Sequence, residues 1–138
     1  MSDQIEYNRK LIEEFRATRT VPDGPYARRP ILILTTTGNK TGQPRTTPVM
    51  YIRDGERLLV IASNAGAVQH PHWYRNLAAH PGVTVEIGTE TFDAQAIPLE
   101  GADRQQVWER IVQQQPFFAE HQAKIERQIP VVELKRNA

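Results

Sequence analysis

The chain of 138 residues contains no cysteine. This absence excludes a disulfide framework, a thiolate metal site and a cysteine nucleophile, and it fits a reducing compartment. The chain also lacks any apolar stretch near the ~20 residues that a membrane-spanning helix needs. Its first residues lack the basic-then-apolar pattern of a signal peptide. We therefore expect a cytoplasmic protein.

An excess of charge of one sign is also missing. The chain has 17 basic and 16 acidic residues, which give a formal net charge of +1. This balance argues against bulk nucleic-acid binding, so any basic character must be local. The length fits one domain with a buried core and a small-molecule partner.

One turn without acidic residues separates two apolar runs. Residues 31–34 and 46–52 are β-branched, aliphatic and aromatic, so they predict two strands. The turn between them reads TTTGNKTGQPR and holds two glycines, several hydroxyls, Lys40 and Arg45. Such a loop can offer backbone N–H groups, hydroxyls and two cations to one anionic group. Taken alone, the stretch fits an anion-binding loop and a basic surface hairpin equally well.

Hydrophobic periodicity predicts the remaining elements. Helices are predicted at 3–19, 70–80, 103–114 and 116–128, and strands at 31–36, 46–53, 58–62, 83–87, 91–97 and 130–134. This order indicates an α+β, mainly β fold, a small antiparallel barrel with helices packed outside. A barrel of this size cannot hold a large ligand in its lumen, so a cofactor would lie outside against the loops. We expect an N-terminal helix and linker at 1–25 and the barrel at 26–138.

The first helix has a thin apolar stripe among charges. We expect it to pack on the barrel, with a membrane-surface or lid role as the alternative. His70 and His72 lie two residues apart, a spacing that places them on different faces of a helix. No carboxylate pair lies near them in the sequence, so no metal site is predicted.

A second loop of small residues, 63–67, follows the third predicted strand and precedes a helix. Small residues let the backbone approach a planar ring or a phosphate closely. The N-terminus of the following helix adds a partial positive charge on the same side. The GxxxxGK[ST] and GxGxxG motifs are both absent, which argues against Walker and dinucleotide sites.

These two loops carry a resemblance to a known family. The patterns TTTGxKxGxxRTTP and ASxxGAxxHPxWYxNL, within residues 31–88, resemble those of the deazaflavin-dependent nitroreductase family. Members are small oxidoreductases that use coenzyme F420, an 8-hydroxy-5-deazaflavin with an anionic phospholactyl-oligoglutamate tail. The resemblance implies a split β-barrel, like that of FMN-binding split-barrel proteins. It also implies hydride transfer from the reduced coenzyme to an electron-poor organic acceptor, such as a quinone, an enone or a nitro compound.

The resemblance also implies site residues. The phosphate and acidic tail would be bound by Lys40 and Arg45, and the ring by residues 62–67. The full coenzyme-binding set is Lys40, Gly42, Arg45, Thr47, Pro48, Met50, Ala62, Ser63, Asn64, Ala65, Gly66, Ala67, Trp73 and Asn76. The acceptor side would be formed by Phe117, Phe118 and His121, and the proton would come from solvent, Ser63 or His121.

The chain departs from the family pattern at two places. Members often have Arg where this chain has Asn39, and Lys-Gly where it has Asn64-Ala65, so two potential cations are lost. Three alternatives remain at this point. The barrel could use FMN, it could be a non-catalytic deazaflavin carrier, or it could be a quinone reductase at the inner face of the membrane, anchored weakly by its first helix. The sequence leaves a monomer and a homodimer equally open.

Overall fold

The computed structural model describes residues 2–20 and 30–137, including the side chains of all of them except 2–5 and 65. The predicted linker and domain boundary near residue 25 lie outside these ranges. The described elements are α1 (Ser2–Thr18), β1 (Ile31–Thr37), β2 (Pro44–Asp54), β3 (Arg57–Ile61), a 3-10 turn (Asn64–Gly66), α2 (His72–Ala79), β4 (Gly82–Ile87), β5 (Glu90–Pro98), α3 (Gly101–Gln114), α4 (Phe117–Ala123) and β6 (Val131–Arg136).

The six strands form one closed antiparallel barrel in the order β1-β2-β3-β6-β5-β4. Alternate apolar residues of every strand point inward, where Leu34, Val60 and Val85 belong to one buried cluster drawn from all six strands. The predicted barrel with outer helices is therefore confirmed. Because side chains fill the interior, any large ligand must bind outside it.

The helix α1 packs on the outside of β1. Leu11 and Phe15 are buried against Ile33, and the Arg16 guanidinium donates two hydrogen bonds, of 2.9 and 2.8 Å, to the buried carboxylate of Glu86 on β4. Hydrogen bonding to Glu86 raises the pKa of Arg16. The packing role expected for this helix is what the structure shows. Of the described residues, none belongs to a helix long and apolar enough to span a membrane.

The helices α3 and α4 cover the other side of the barrel. Val107, Ile111 and Phe118 are buried against side chains of β3 and β6, and Trp108 packs at the edge of the same cluster. The predicted core face of α3 is therefore confirmed. Ion pairs from Arg57 to Asp103 and from Arg110 to Asp54 join α3 to the β2–β3 hairpin.

Two predicted helix boundaries are wrong. The second helix begins at His72, and Pro71 is its extended N-cap rather than a residue of its first turn. The last helix ends at Ala123 rather than near 128. The Gln122 side chain donates to the Arg127 carbonyl (2.8 Å) and accepts from the Ile129 N–H (2.9 Å). These side-chain bonds satisfy backbone groups of the following segment, which therefore leaves the helical path.

Candidate functional site

A groove of about 820 Å³ lies between the β1–β2 turn, α1 and the start of α2. Its volume is within the range of small-molecule sites. No acidic side chain of the described residues lines it. The lining residues are Asn8, Arg9, Ile12, Gly38, Asn39, Lys40, Thr41, Pro44, Arg45, Thr46, Thr47, His72, Trp73 and Asn76.

Two cations of this groove have no acidic partner. Lys40 and Arg45 are exposed, and neither takes part in an ion pair with any residue of 2–20 or 30–137. By contrast, Arg9 on the opposite wall pairs with Glu6 and with Glu13. Positive charge without a local counterion attracts anionic ligands into a groove. The donor set therefore fits the phosphate and carboxylates of the coenzyme that the sequence predicted.

The conformation of the β1–β2 turn requires two glycines, Gly38 and Gly42. The Gly38 N–H donates to the Gln43 carbonyl (2.8 Å), and a Cβ at Gly38 would lie only 2.8 Å from Thr41 Oγ1. Gly42 has a φ of +71°, which favours glycine. Gly42 does not line the groove, however. It lies on the other side of the turn, in a separate depression shared with Thr35 and neighbouring strand residues.

Asn76 fastens this turn to the barrel. Its side chain is 5% exposed, its Oδ1 accepts a hydrogen bond from the Asn39 N–H (3.0 Å), and its Nδ2 donates to Thr36 Oγ1 (3.1 Å). The alternative of a plain exposed amide is wrong, because both ends of the amide are engaged inside the protein. Trp73, one turn earlier on α2, packs partly in the barrel core and partly lines the groove, as interpreted from its spacing.

We expect Asn76→Leu to lower the free energy of unfolding by about 2 kcal/mol, since it removes the acceptor of the Asn39 N–H and one of the hydrogen bonds of the Thr36 hydroxyl, which keeps its 3.4 Å bond to the Arg45 carbonyl. Coenzyme affinity should fall as well, because the turn that carries Lys40 is released from α2. Chemical denaturation and fluorescence titration measure the two effects. Replacing Asn137, which is exposed and outside the groove, is the matched control, and equal behaviour of the two variants would contradict the role of Asn76.

The second predicted loop lies apart from the groove. None of Ala62, Ser63, Asn64, Gly66 and Ala67 lines it, nor do Pro48 and Met50, which lie farther along β2. The loop instead packs on α4. Gly66 has a φ of +81°, and a Cβ there would come within 3.4 Å of His121 Cα. The predicted coenzyme-binding residues therefore fall into two groups. The groove group is Lys40, Arg45, Thr47, Trp73 and Asn76, and the loop group is the 62–67 loop; α2 lies between them in the chain.

The loop group lies beside the residues predicted for the acceptor side. The rings of Phe117 and Phe118 lie 5.5 and 6.1 Å from the His121 ring, both edge-on. His121 Nδ1 is buried and has no hydrogen-bond partner among the described residues. Ser63 is buried at the start of the loop. The structure thus brings Ser63, Gly66, Phe117, Phe118 and His121 into one region.

Arg127 is the residue of this region that the sequence did not reveal. Its guanidinium donates to the backbone carbonyls of Ser63 (2.9 Å) and Val68 (3.0 Å) and contacts His70 Nδ1 at 3.1 Å. Burial, followed by the charges of Arg127 and Arg75, lowers the pKa of His70. Since no sequence spacing links residue 127 to this loop, only the fold brings them together.

Comparison with known proteins agrees with this geometry. The profile of the F420H(2)-dependent quinone reductase family matches residues 7–136. The chain belongs to this family. Membership confirms the prediction of an oxidoreductase that uses coenzyme F420, and it leaves the FMN alternative without support.

Individual relatives agree with the family. The F420H(2)-dependent quinone reductase Rv1261c of Mycobacterium tuberculosis is 37% identical over 124 residues, which are 88% of this chain and 80% of the relative. A solved F420-H2 dependent reductase, FDR-A, has a TM-score of 0.69 and 39% identity over 78% of this chain and 95% of its own. A structure described as a domain-swapped dimer has a TM-score of 0.72 and 34% identity, over 97% of this chain and 98% of its own. These neighbours confirm the split-barrel fold.

Proposed function

We propose that this protein reduces quinones with the reduced form of coenzyme F420. The observation that carries the proposal is the groove in which, among the described residues, no acid lines the wall and Lys40 and Arg45 have no ion-pair partner. The family and its mycobacterial members are named for the same reaction. When bound, the coenzyme supplies the hydride, and the protein supplies binding, orientation and electrostatics.

The residues of the chain divide this work between them. We assign the acidic tail to Lys40 and Arg45, whose charge-assisted hydrogen bonds suit phosphate and carboxylate. Thr47, Trp73 and Asn76 belong to the same groove and complete this half of the site. We assign the ring to residues 62–67, with Pro48 and Met50 on β2, and we assign Gly42 to shaping the β1–β2 turn that carries Lys40.

The acceptor side is assigned to the aromatic cluster on α4. Phe117 and His121 are half-buried and offer flat aromatic faces that suit a quinone ring, and the buried Phe118 supports them from the core. Reduction of a quinone to the hydroquinone takes one hydride, which carries both electrons, and one proton. His121 and Ser63 are the protein groups that we assign to proton delivery, because His121 Nδ1 has no hydrogen-bond partner among the described residues and Ser63 begins the adjacent loop.

The test follows the oxidation of reduced F420 by absorbance, with menadione as the quinone and with a cyclic enone and a nitroimidazole in parallel. We expect turnover with menadione to exceed turnover with the other two acceptors. FMN binding is titrated separately. Binding of F420 with no turnover on any acceptor would indicate a carrier, and preference for the nitro compound or the enone would overturn the quinone assignment.

We further propose a homodimer in the cytoplasm. The relative described as a domain-swapped dimer supports the dimer, since it matches nearly the whole chain. Contact with the inner face of a membrane through α1 remains a prediction. Leu11 and Phe15 are buried against the barrel, so such contact would have to use the polar face of this helix. Light scattering tests the homodimer, and co-sedimentation with anionic liposomes tests the membrane contact.

A further inference from the structure

We propose that Arg127 is a positioning residue for the coenzyme site, and that it acts by fixing the backbone of residues 62–70. The proposal rests on the proposed function, because it assigns the ring half of the coenzyme to this loop. Arg127 lies between α4 and β6, where it contacts no groove residue through any of its hydrogen bonds.

The hydrogen bonds of the Arg127 guanidinium all go to one segment of the chain, residues 62–70. Nη1 donates to the Ala62 carbonyl (3.2 Å), Nη2 to those of Ser63 (2.9 Å) and Ala67 (3.0 Å), and Nε to those of Ala67 (3.2 Å) and Val68 (3.0 Å). Four carbonyls from the two ends of the loop therefore converge on one planar group. A guanidinium has the rigid fork of donors that this arrangement requires, and an ammonium does not.

His70 is a fifth residue in contact with Arg127, at the end of the segment. Arginine always donates, so His70 Nδ1 is the acceptor in the 3.1 Å contact and the ring proton is on Nε2. The His70 ring also packs on Tyr74 of α2, with ring centroids 4.7 Å apart. Arg127 is thereby connected to the first turn of α2 as well as to the loop.

The helix α2 connects the segment that Arg127 holds to the groove. His72 and Trp73, at its start, line the groove, and Asn76 binds the turn that carries Lys40. One side chain outside the groove thus connects the loop group to the groove group. The carbonyls of Ala62, Ser63, Ala67 and Val68 are satisfied as acceptors by Arg127.

The charge of Arg127 also stays beside the loop. Arg127 has no ion pair with an acidic side chain of residues 2–20 or 30–137. The positive charge next to the loop favours any ligand that carries or develops negative charge there. Arg127 is therefore a source of positive charge at this loop.

The experiment compares Arg127→Met and Arg127→Lys with the wild type and with Arg110→Met. Arg110 is bound to Asp54 at the far hairpin and serves as the control for loss of one guanidinium. Amide hydrogen exchange is measured on each protein without ligand. Dissociation constants are measured for F420 and for its tail-less form, which keeps only the deazaflavin and its sugar-like chain.

We expect Arg127→Met to speed exchange at least tenfold within residues 62–76 while β4 and β5 keep their protection. Both ligands should bind about tenfold more weakly, because the lost contact concerns the ring half. Arg127→Lys should keep the charge, fail to restore the exchange protection, and recover only part of the affinity. Faster exchange throughout the barrel would show a general stability role and overturn the proposal.

Two further outcomes would also overturn it. One is unchanged exchange and unchanged affinity in Arg127→Met, and the other is full recovery of both in Arg127→Lys. Failure of the proposed function has a different signature, in which the wild type itself binds neither ligand. In that case the 62–67 loop does not bind the deazaflavin ring. The hydrogen-exchange data then decide by themselves whether Arg127 fixes the backbone of this loop.

Discussion

The double variant Lys40→Ala/Arg45→Ala should bind coenzyme F420 about a hundredfold more weakly than the wild type. Each side chain is expected to give one charge-assisted hydrogen bond to the tail, and the loss of about 1.4 kcal/mol for each corresponds to about tenfold in affinity. Neither cation has an ion-pair partner among the described residues that its removal would leave uncompensated. The loss should therefore appear in binding and not in stability.

Quenching of tryptophan fluorescence measures this affinity, since Trp73 lines the groove. The matched control is Arg53→Ala/Lys135→Ala, which removes the same charge from exposed positions outside the groove. The tail-less form of the coenzyme should bind the double variant and the wild type equally. Wild-type affinity for F420 should also fall as the salt concentration rises, because exposed charges are screened. If the Lys40→Ala/Arg45→Ala variant bound F420 as tightly as this control does, the acidic tail of the coenzyme would have to bind elsewhere.

Phe15→Ala should lower the free energy of unfolding by about 3–5 kcal/mol, the usual cost of emptying a buried phenylalanine site. Phe15 is 2% exposed and packs with Leu11 on Ile33, so its removal leaves a cavity between α1 and β1. The Arg16–Glu86 ion pair alone cannot hold the helix on the barrel, because an exposed arginine contributes little to stability. The groove then loses the wall formed by Asn8 and Ile12, and F420 affinity should fall too.

Urea denaturation followed by circular dichroism measures the loss of stability. Ile97→Ala is the control, because Ile97 is an apolar residue that is 40% exposed. We expect this control to change the free energy of unfolding by less than about 1 kcal/mol. A similarly small change for Phe15→Ala would contradict the packing of α1 on β1.

Local signals in the sequence account for the barrel and for half of the site. Alternating apolar residues predict the strands because each strand has one face in a packed interior. The acid-free turn with Lys40 and Arg45 is local as well, so its chemistry is visible without a structure. Asn76 is the first exception. Its identity suggested a ligand contact, and only the approach of α2 to the turn reveals that its amide is used inside the protein.

Contacts between distant residues decided the rest. The wall formed by α1 depends on the packing of Leu11 and Phe15 on Ile33 of β1, and the Arg16–Glu86 pair adds a contact between residues 70 positions apart. The separation of the ring loop from the groove depends on the packing of Gly66 on His121, and the shape of that loop depends on Arg127. Hydrogen bonds of this kind leave no periodic trace in a sequence, because either partner alone is compatible with an exposed position. The sequence by itself determined the barrel and the family, and with the family its anionic coenzyme, because these depend on local patterns and motifs. Only the tertiary structure showed that Lys40 and Arg45 share a groove with α1 and α2, and that Arg127 binds the 62–70 segment, because these contacts join residues far apart in the chain.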